Sequence, residues 1–190
     1  MVKELTRKMK DSGVEWIGEI PEDWEVVRLK DKYIFEKGKN AGLYTKEYVG
    51  ANIGNYPVYS GQTENKGIMG YIDSYEYDLK DSIYTTTVGA KVMTANMISG
   101  KISLSQNCVL FINRDENTDD RFVFYFLNPL FKYEKSMIPS YMQPSLRIED
   151  LKRYIMFTPK IDEQRTIADF LDEKTQEIDN IISKTKKAIE

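Results

Sequence analysis

The sequence predicts an α+β fold: a compact, twisted, β-rich domain with short helices, followed by a long C-terminal helix of coiled-coil type. Three observations predict it. Short runs of β-branched and aromatic residues crowd the middle of the chain, separated by Gly, Asn, Asp and Ser. Apolar residues at helical spacing fill 119–135, and the stretch after Pro159 carries an apolar face with neither Gly nor Pro from Asp162 onward. The 190 residues suffice for one ordinary globular domain plus an added element, and 41% hydrophobic against 30% charged residues is a core-forming composition.

Residues 1–24 read as an extended lead-in ending in WIGEIPEDW, where Pro21 blocks helix and Trp16 and Trp24 supply apolar anchors. EVVRLKDKYIFE (25–36) predicts a short strand running into a short helix, and 38–55 has no period and reads as loop. Strands follow at YPVYSG (56–61), MGYID (69–73), SIYTTTV (82–88), KVMTA (91–95), KISLS (101–105) and NCVLFIN (107–113). Cys108 lies in the last of these, where a small buried hydrophobe is expected.

In 119–135, two Asp residues precede Phe122, Phe126, Leu127, Leu130 and Phe131, a helix start by charge and spacing, and Pro129 predicts a kink or a break into two helices. RIEDLK (147–152) predicts a short helix and YIMFT (154–158) a strand. From Pro159 onward, Leu171, Ile178 and Thr185 take one seam position of approximate heptads, and Ile167, Ile181 and Ala188 the other, with Ile182 beside them and Lys174 interrupting. About 28 helical residues would reach roughly 42 Å, more than a domain core needs, so much of this helix should project and pack on a partner helix. The pattern ends at Glu190 without a stop signal, as expected inside a longer helix.

Several function classes are excluded or weakened by what is missing. No histidine occurs, so Ser-His, Cys-His and His-ligated metal sites are impossible. No G-x-x-x-x-G-K-[ST] loop is present for an ATP motor. Neither a metal site nor a cofactor is expected. One cysteine precludes an internal disulfide and fits a reducing, cytoplasmic setting, the charged N-terminus is not a secretory signal, and no apolar run is long enough to span a membrane. The net charge of −3 does not by itself point to nucleic acid: residues 159–190 hold 6 basic and 8 acidic groups, leaving 21 and 22 of the chain's 27 and 30 before them. DNA binding would therefore require uneven placement of charge over the surface.

Four segments carry a family resemblance. SGVEWIGEIPEDWEVVRLKD (12–31) resembles the opening of type I restriction-modification specificity subunits, and PKIDEQRTIADFLDEKTQEIDNII (159–182) resembles the Pro-x-x-x-Glu-Gln-x-x-Ile-x-x-Phe-Leu signature that starts their spacer helix. Between them, YPVYSGQTENKGIMGYI (56–72) and IPSYMQPSLRIEDLKRYIMF (138–157) are similar to landmarks of the family's target-recognition domain. The resemblance implies a target-recognition domain over 1–158 and a spacer or dimerisation helix over 159–190. It also implies a non-catalytic reader of one half of a split site in double-stranded DNA, serving as scaffold for methyltransferase (modification) subunits and a motor-endonuclease (restriction) subunit. With one recognition domain and one helix, the chain would be either part of a longer reader or a half-subunit that self-associates through the C-terminal helix. In the second case its site should be palindromic and interrupted.

Residue chemistry then nominates the contacts. Base edges are read by Asn, Gln, Arg, Lys, Ser and Thr. Such groups gather at Ser60, Gln62, Thr63, Asn65 and Lys66, at Thr87 and Lys91, and at Tyr141, Gln143 and Arg147, while Lys37 and Lys39 flank Gly38 as phosphate contacts. The dimerisation face is Ile167, Leu171, Ile178, Ile181 and Ile182. Two other readings compete: a coiled-coil adaptor without a DNA role, and a small metal-dependent nuclease built on the Glu64-Asn65-Lys66 string, for which no Asp lies between Asp31 and Asp73.

Overall fold

A computed structural model describes residues 7–62 and 65–189. The lead-in forms an antiparallel hairpin, β1 (Met9–Asp11) with β2 (Glu19–Pro21). Its two tryptophans act as anchors: Trp16 stacks on Tyr133 at 5.3 Å and Trp24 meets the edge of Phe122 at 6.3 Å. The 25–36 segment is strand, helix and strand: β3 (Glu25–Arg28), α1 (Leu29–Lys32) and β4 (Tyr33–Glu36). Within 38–55, expected as loop, α2 (Lys46–Ala51) is capped by the Thr45 hydroxyl, which accepts from the Tyr48 N–H at 3.2 Å.

The central elements are β5 (Ile53–Tyr59), β6 (Ile68–Ile72), β7 (Tyr77–Thr86), β8 (Ala95–Leu104) and β9 (Cys108–Asn113). With β4 they form a six-stranded sheet in the order β4-β9-β7-β8-β5-β6. All its pairings are antiparallel except β5 with β8. The β7–β8 pairing skips register between Leu79 and Ser82, and Gly100 opposite Leu79 has a φ of +84°. Such an irregularity bends and twists a ribbon. It curls this one so that the end of β8 comes within a three-residue turn of the start of β9.

KVMTA does not form a separate strand. The chain must reverse between β7 and β8, and it does so here: the Val92 N–H bonds to the Gly89 carbonyl at 3.1 Å and Met93 takes a φ of +56°. Only Ala95 of that run joins β8. Pro129 neither breaks nor splits its helix, and α3 (Asp120–Ser136) runs through it, started by the Asp119 carboxylate on the N–H groups of Arg121 and Phe122. Burial of Phe122, Val123, Leu127, Leu130 and Phe131 on one face outweighs the lost backbone bond. α4 (Ile148–Arg153), β10 (Ile155–Thr158) and α5 (Ile161–Ile189) follow, with β10 paired antiparallel to β3.

β9 shows how the core is divided. Its alternate residues Val109 and Phe111 pack with α3, α1 and α4, while Cys108 and Leu110 pack on the other side with Tyr84, Ile98, Ile102 and Leu104. A smaller cluster of Tyr44, Val49, Val58 and Ile72 seats α2. Burial pushes the Cys108 thiol up to about 12, so it is protonated and inert at neutral pH. α5 docks by its first turns only: Ala168 is buried and Ile167 packs on the main core, whereas from Glu173 to Ile189 only Lys174 is partly covered. Among the described residues, no helix is long and apolar enough to cross a membrane.

Candidate nucleic-acid interface

The curl of β7 and β8 brings loops from distant parts of the sequence to one edge of the sheet. The Ser105–Asn107 turn lies at the centre of this edge: the Ser105 N–H bonds to the Tyr59 carbonyl and the Asn107 carbonyl accepts from the Thr87 N–H, both at 2.9 Å. The Leu146 N–H bonds to the Thr87 carbonyl at 2.9 Å, tying the 145–147 segment to the same point. Gly38 completes the group, because a Cβ there would collide with the Leu104 carbonyl. Lys37, Thr87, Val88, Ser145 and Arg147 thereby line one cleft of about 350 Å³.

Of the nominated residues, Lys37, Thr87 and Arg147 line this cleft, and the nominated set differs in exposure. Lys37, Lys39, Asn65, Lys66, Tyr141, Gln143 and Arg147 are exposed, with Tyr141 at 86%. Lys39 lies over the Tyr77 ring, 4.9 Å from its centroid, and donates to the Glu76 carbonyl at 3.3 Å, which fixes its ammonium there. Gln62 and Lys91 are half-buried. The Gln62 amide donates to the Ile68 carbonyl across its own loop. Ser60 and Thr87 are buried and brace the loops instead of facing solvent. The Thr63 position lies outside the described residues. Asn65, Lys66 and Gly67 all have positive φ (47°, 55° and 86°), so two side-chain-bearing residues are held in the left-handed region.

Three exposed groups at this edge have no distinctive signal in the sequence: Asn40, Gln106 and Asn107. Asn40 lies in a loop without periodicity, and its N–H is held by the Glu76 carboxylate. Gln106 and Asn107 form the short turn between two buried strands, a position recognisable only once β8 and β9 are known to be joined there. Among the described residues no group of three or more Cys, Asp or Glu is arranged to hold a metal ion.

The joint between domain and helix is a second constructed site. Gln164 is 1% exposed; its Oε1 accepts from the Asp119 N–H at 2.9 Å, and its Nε2 faces the Asn117 and Pro159 carbonyls and the Thr158 hydroxyl at 2.8–2.9 Å. Arg121 on α3 reaches Asp169 and Asp172 of α5 at 2.8 Å, and the Tyr125 hydroxyl donates to Asp172 at 2.7 Å. Arg7 bridges Asp23 and Glu163, and the Trp24 indole N–H also reaches Glu163 at 3.3 Å. The Arg7 hydrogen bond holds the Glu163 carboxyl below its ordinary value of 4.5.

The exposed face of α5 carries Phe170 (56%), Ile178 (56%), Ile181 (63%) and Ile182 (47%), with Leu171 partly covered. Four of the five nominated residues therefore remain on or beside an open stripe; Ile167 is engaged by its own domain. Phe170 extends the stripe toward the domain.

Comparisons with known proteins agree with this architecture. A Mycoplasma pneumoniae protein designated a candidate type I specificity subunit is 29% identical over 147 residues, covering 76% of this chain and 38% of its own. The specificity subunit of the type I restriction enzyme MjaVIII of Methanocaldococcus jannaschii is 28% identical over 187 residues, covering 90% of this chain and 43% of its own. The chain spans 38% to 59% of the lengths of the curated relatives it matches. The crystal structure of the type I S subunit from M. genitalium shares its fold with a TM-score of 0.63 at 19% identity, covering 84% of this chain and 41% of that one. That of the HsdS subunit from Thermoanaerobacter tengcongensis does so at 0.62 and 18%, covering 90% and 41%. The family described as type I restriction modification DNA specificity domain matches residues 21–190, and the chain belongs to that family.

Proposed function

We propose that this chain reads one half of a bipartite DNA target in a type I restriction-modification complex, without catalysing a reaction itself. Residues 1–158 form the reading module, and α5 is the spacer on which a second helix and the methyltransferase and endonuclease subunits assemble. The observation that carries the reading is the meeting of Lys37, Thr87 and Arg147, from three separate loops, at one cleft in a molecule of negative net charge. Two cations and one acid, Glu149, line this cleft, so positive charge is in excess here on a chain of negative net charge, the direction of uneven placement that DNA binding demands.

In this account Lys37, Lys39, Lys66 and Arg147 contact phosphates and set the register on the duplex, while amide side chains reach base edges. The Asn65-Lys66-Gly67 segment turns the chain into β6 through left-handed backbone, and buried Ser60 and Thr87 keep the neighbouring loops in place. The exposed stripe from Phe170 to Ile182 supports helix pairing, either with a second copy or with a second spacer helix.

The test is the salt dependence of duplex binding by the intact chain. Affinity should fall linearly on a log–log plot as salt rises, and Lys37→Ala and Arg147→Ala should each reduce the slope by about 1. Binding that is absent at low salt, or variants with an unchanged slope and affinity, would overturn this assignment.

A further inference from the structure

The centre of the proposed interface is not one of its lysines but the turn Ser105-Gln106-Asn107. This turn touches the loops that meet there: its carbonyl at Asn107 holds Thr87, the Asn107 Cβ lies 3.4 Å from where a Cβ on Gly61 would stand, and the Gln106 amide nitrogen lies 3.4 Å from the same position on Gly42. It is also firmly mounted. Leu104, Ser105 and Cys108 on either side are buried, and the turn closes on itself through the Cys108 N–H to the Ser105 carbonyl at 3.1 Å. Both residues are exposed on this mount, the Gln106 amide lying along the Gly42 loop, and among the described residues neither side chain takes a hydrogen bond to another part of the protein.

An exposed Gln-Asn pair on a rigid turn has a particular chemical capacity. A carboxamide offers one donor and one acceptor side by side, the pattern complementary to N7 and N6–H₂ of adenine in the major groove. A carboxamide on a mobile loop would lose that discrimination to conformational freedom, whereas one on a buried-strand turn does not. Gln62, half-buried on the neighbouring loop, is turned back onto the Ile68 carbonyl and lacks the same freedom to pair. We propose that Gln106 and Asn107 are the adenine-reading residues of this module, with Asn107 the principal one because its backbone is fixed on Thr87. This rests on the DNA-reading function proposed above.

The experiment is selection of duplexes from a random pool by the intact chain. Affinities of wild type, Gln106→Ala and Asn107→Ala are then measured on the enriched duplex and on versions substituted at each A·T pair. The wild type should discriminate against at least one adenine substitution by fivefold or more, the scale of a bidentate contact. Asn107→Ala should erase that discrimination at one position, leaving discrimination elsewhere and the salt slope unchanged. Both variants should unfold at the wild-type temperature, since the side chains removed are exposed. If both variants keep the full wild-type pattern of discrimination, or lose affinity for all sequences alike, the inference is overturned while DNA reading stands. If the wild type enriches no motif at all, the DNA-reading assignment itself fails, and the inference with it.

Discussion

Gln164 shows how a single amide can join two structural parts. Its four polar neighbours come from the turn before α3, from the end of β10 and from the Thr158-Pro159 corner. Replacement by Leu would keep the volume and leave the Asp119 N–H and the Asn117 and Pro159 carbonyls without that partner. An orphaned buried polar group costs about 1–3 kcal/mol. Gln164→Leu is therefore expected to lower the unfolding free energy measured in urea by about 1–3 kcal/mol, and an unchanged midpoint would contradict the role given to this residue. Glu163, one position earlier, sets a pH dependence. Because Arg7 holds its folded-state value below the ordinary 4.5, its contribution is complete above that pH and is lost as pH falls through the folded value. Glu163→Gln should thus melt below wild type at neutral pH, and the two melting temperatures should converge as the pH drops well under 4.5. A constant difference across that range would show that the carboxylate charge is irrelevant to the joint.

At the scale of elements, local pattern was legible and nonlocal pairing was not. β9 announces itself as an unbroken apolar run, Cys108 to Ile112, buried on both faces, and α3 by apolar residues at helical spacing, of which Phe122, Val123, Leu127, Leu130 and Phe131 are buried. α2 was invisible because a helix of six residues with Val49 alone buried has no period to detect. The first half of β7 was hidden for a related reason: Asp78, Lys80 and Asp81 face solvent, so the run looks polar although Tyr77 and Leu79 pack inward. The KVMTA error reflects propensity without context, since β-branched residues there serve a reversal imposed by the β7–β8 connection. The interface was half legible. Its loops could be named from their composition, but the turn at Gln106 and Asn107 could not be ranked until the curl of the sheet placed it among them. α5 provides the element-scale prediction. With Ile178, Ile181 and Ile182 open and Leu171 at the edge of the docked turns, the chain should pair to about 44 kDa, twice its 22.2 kDa. Leu171→Asp combined with Ile178→Asp should return it to the single-chain mass in sedimentation. A mass unaffected by the double substitution would remove the stripe from the assembly.

For the whole molecule, the division of labour follows from where burial ends. The sheet has an apolar cluster on each face, so the polar loops are carried on a stiff support, while α5, about 44 Å long over its 29 residues, leaves that support after its first turns and continues exposed. Such a rod adds little to the stability of its own domain; in the proposed function it sets the distance to a second unit. If two copies pair through it, the recovered DNA motif should consist of two inverted halves separated by a fixed gap. The measurement that tests the central claim most directly is selection from a random duplex pool by the intact chain at moderate salt. Recovery of a defined base motif, bound more tightly than its scrambled form, is the predicted result. A pool recovered with no base preference, or no recovery at all, would contradict the assignment of this chain as a sequence reader.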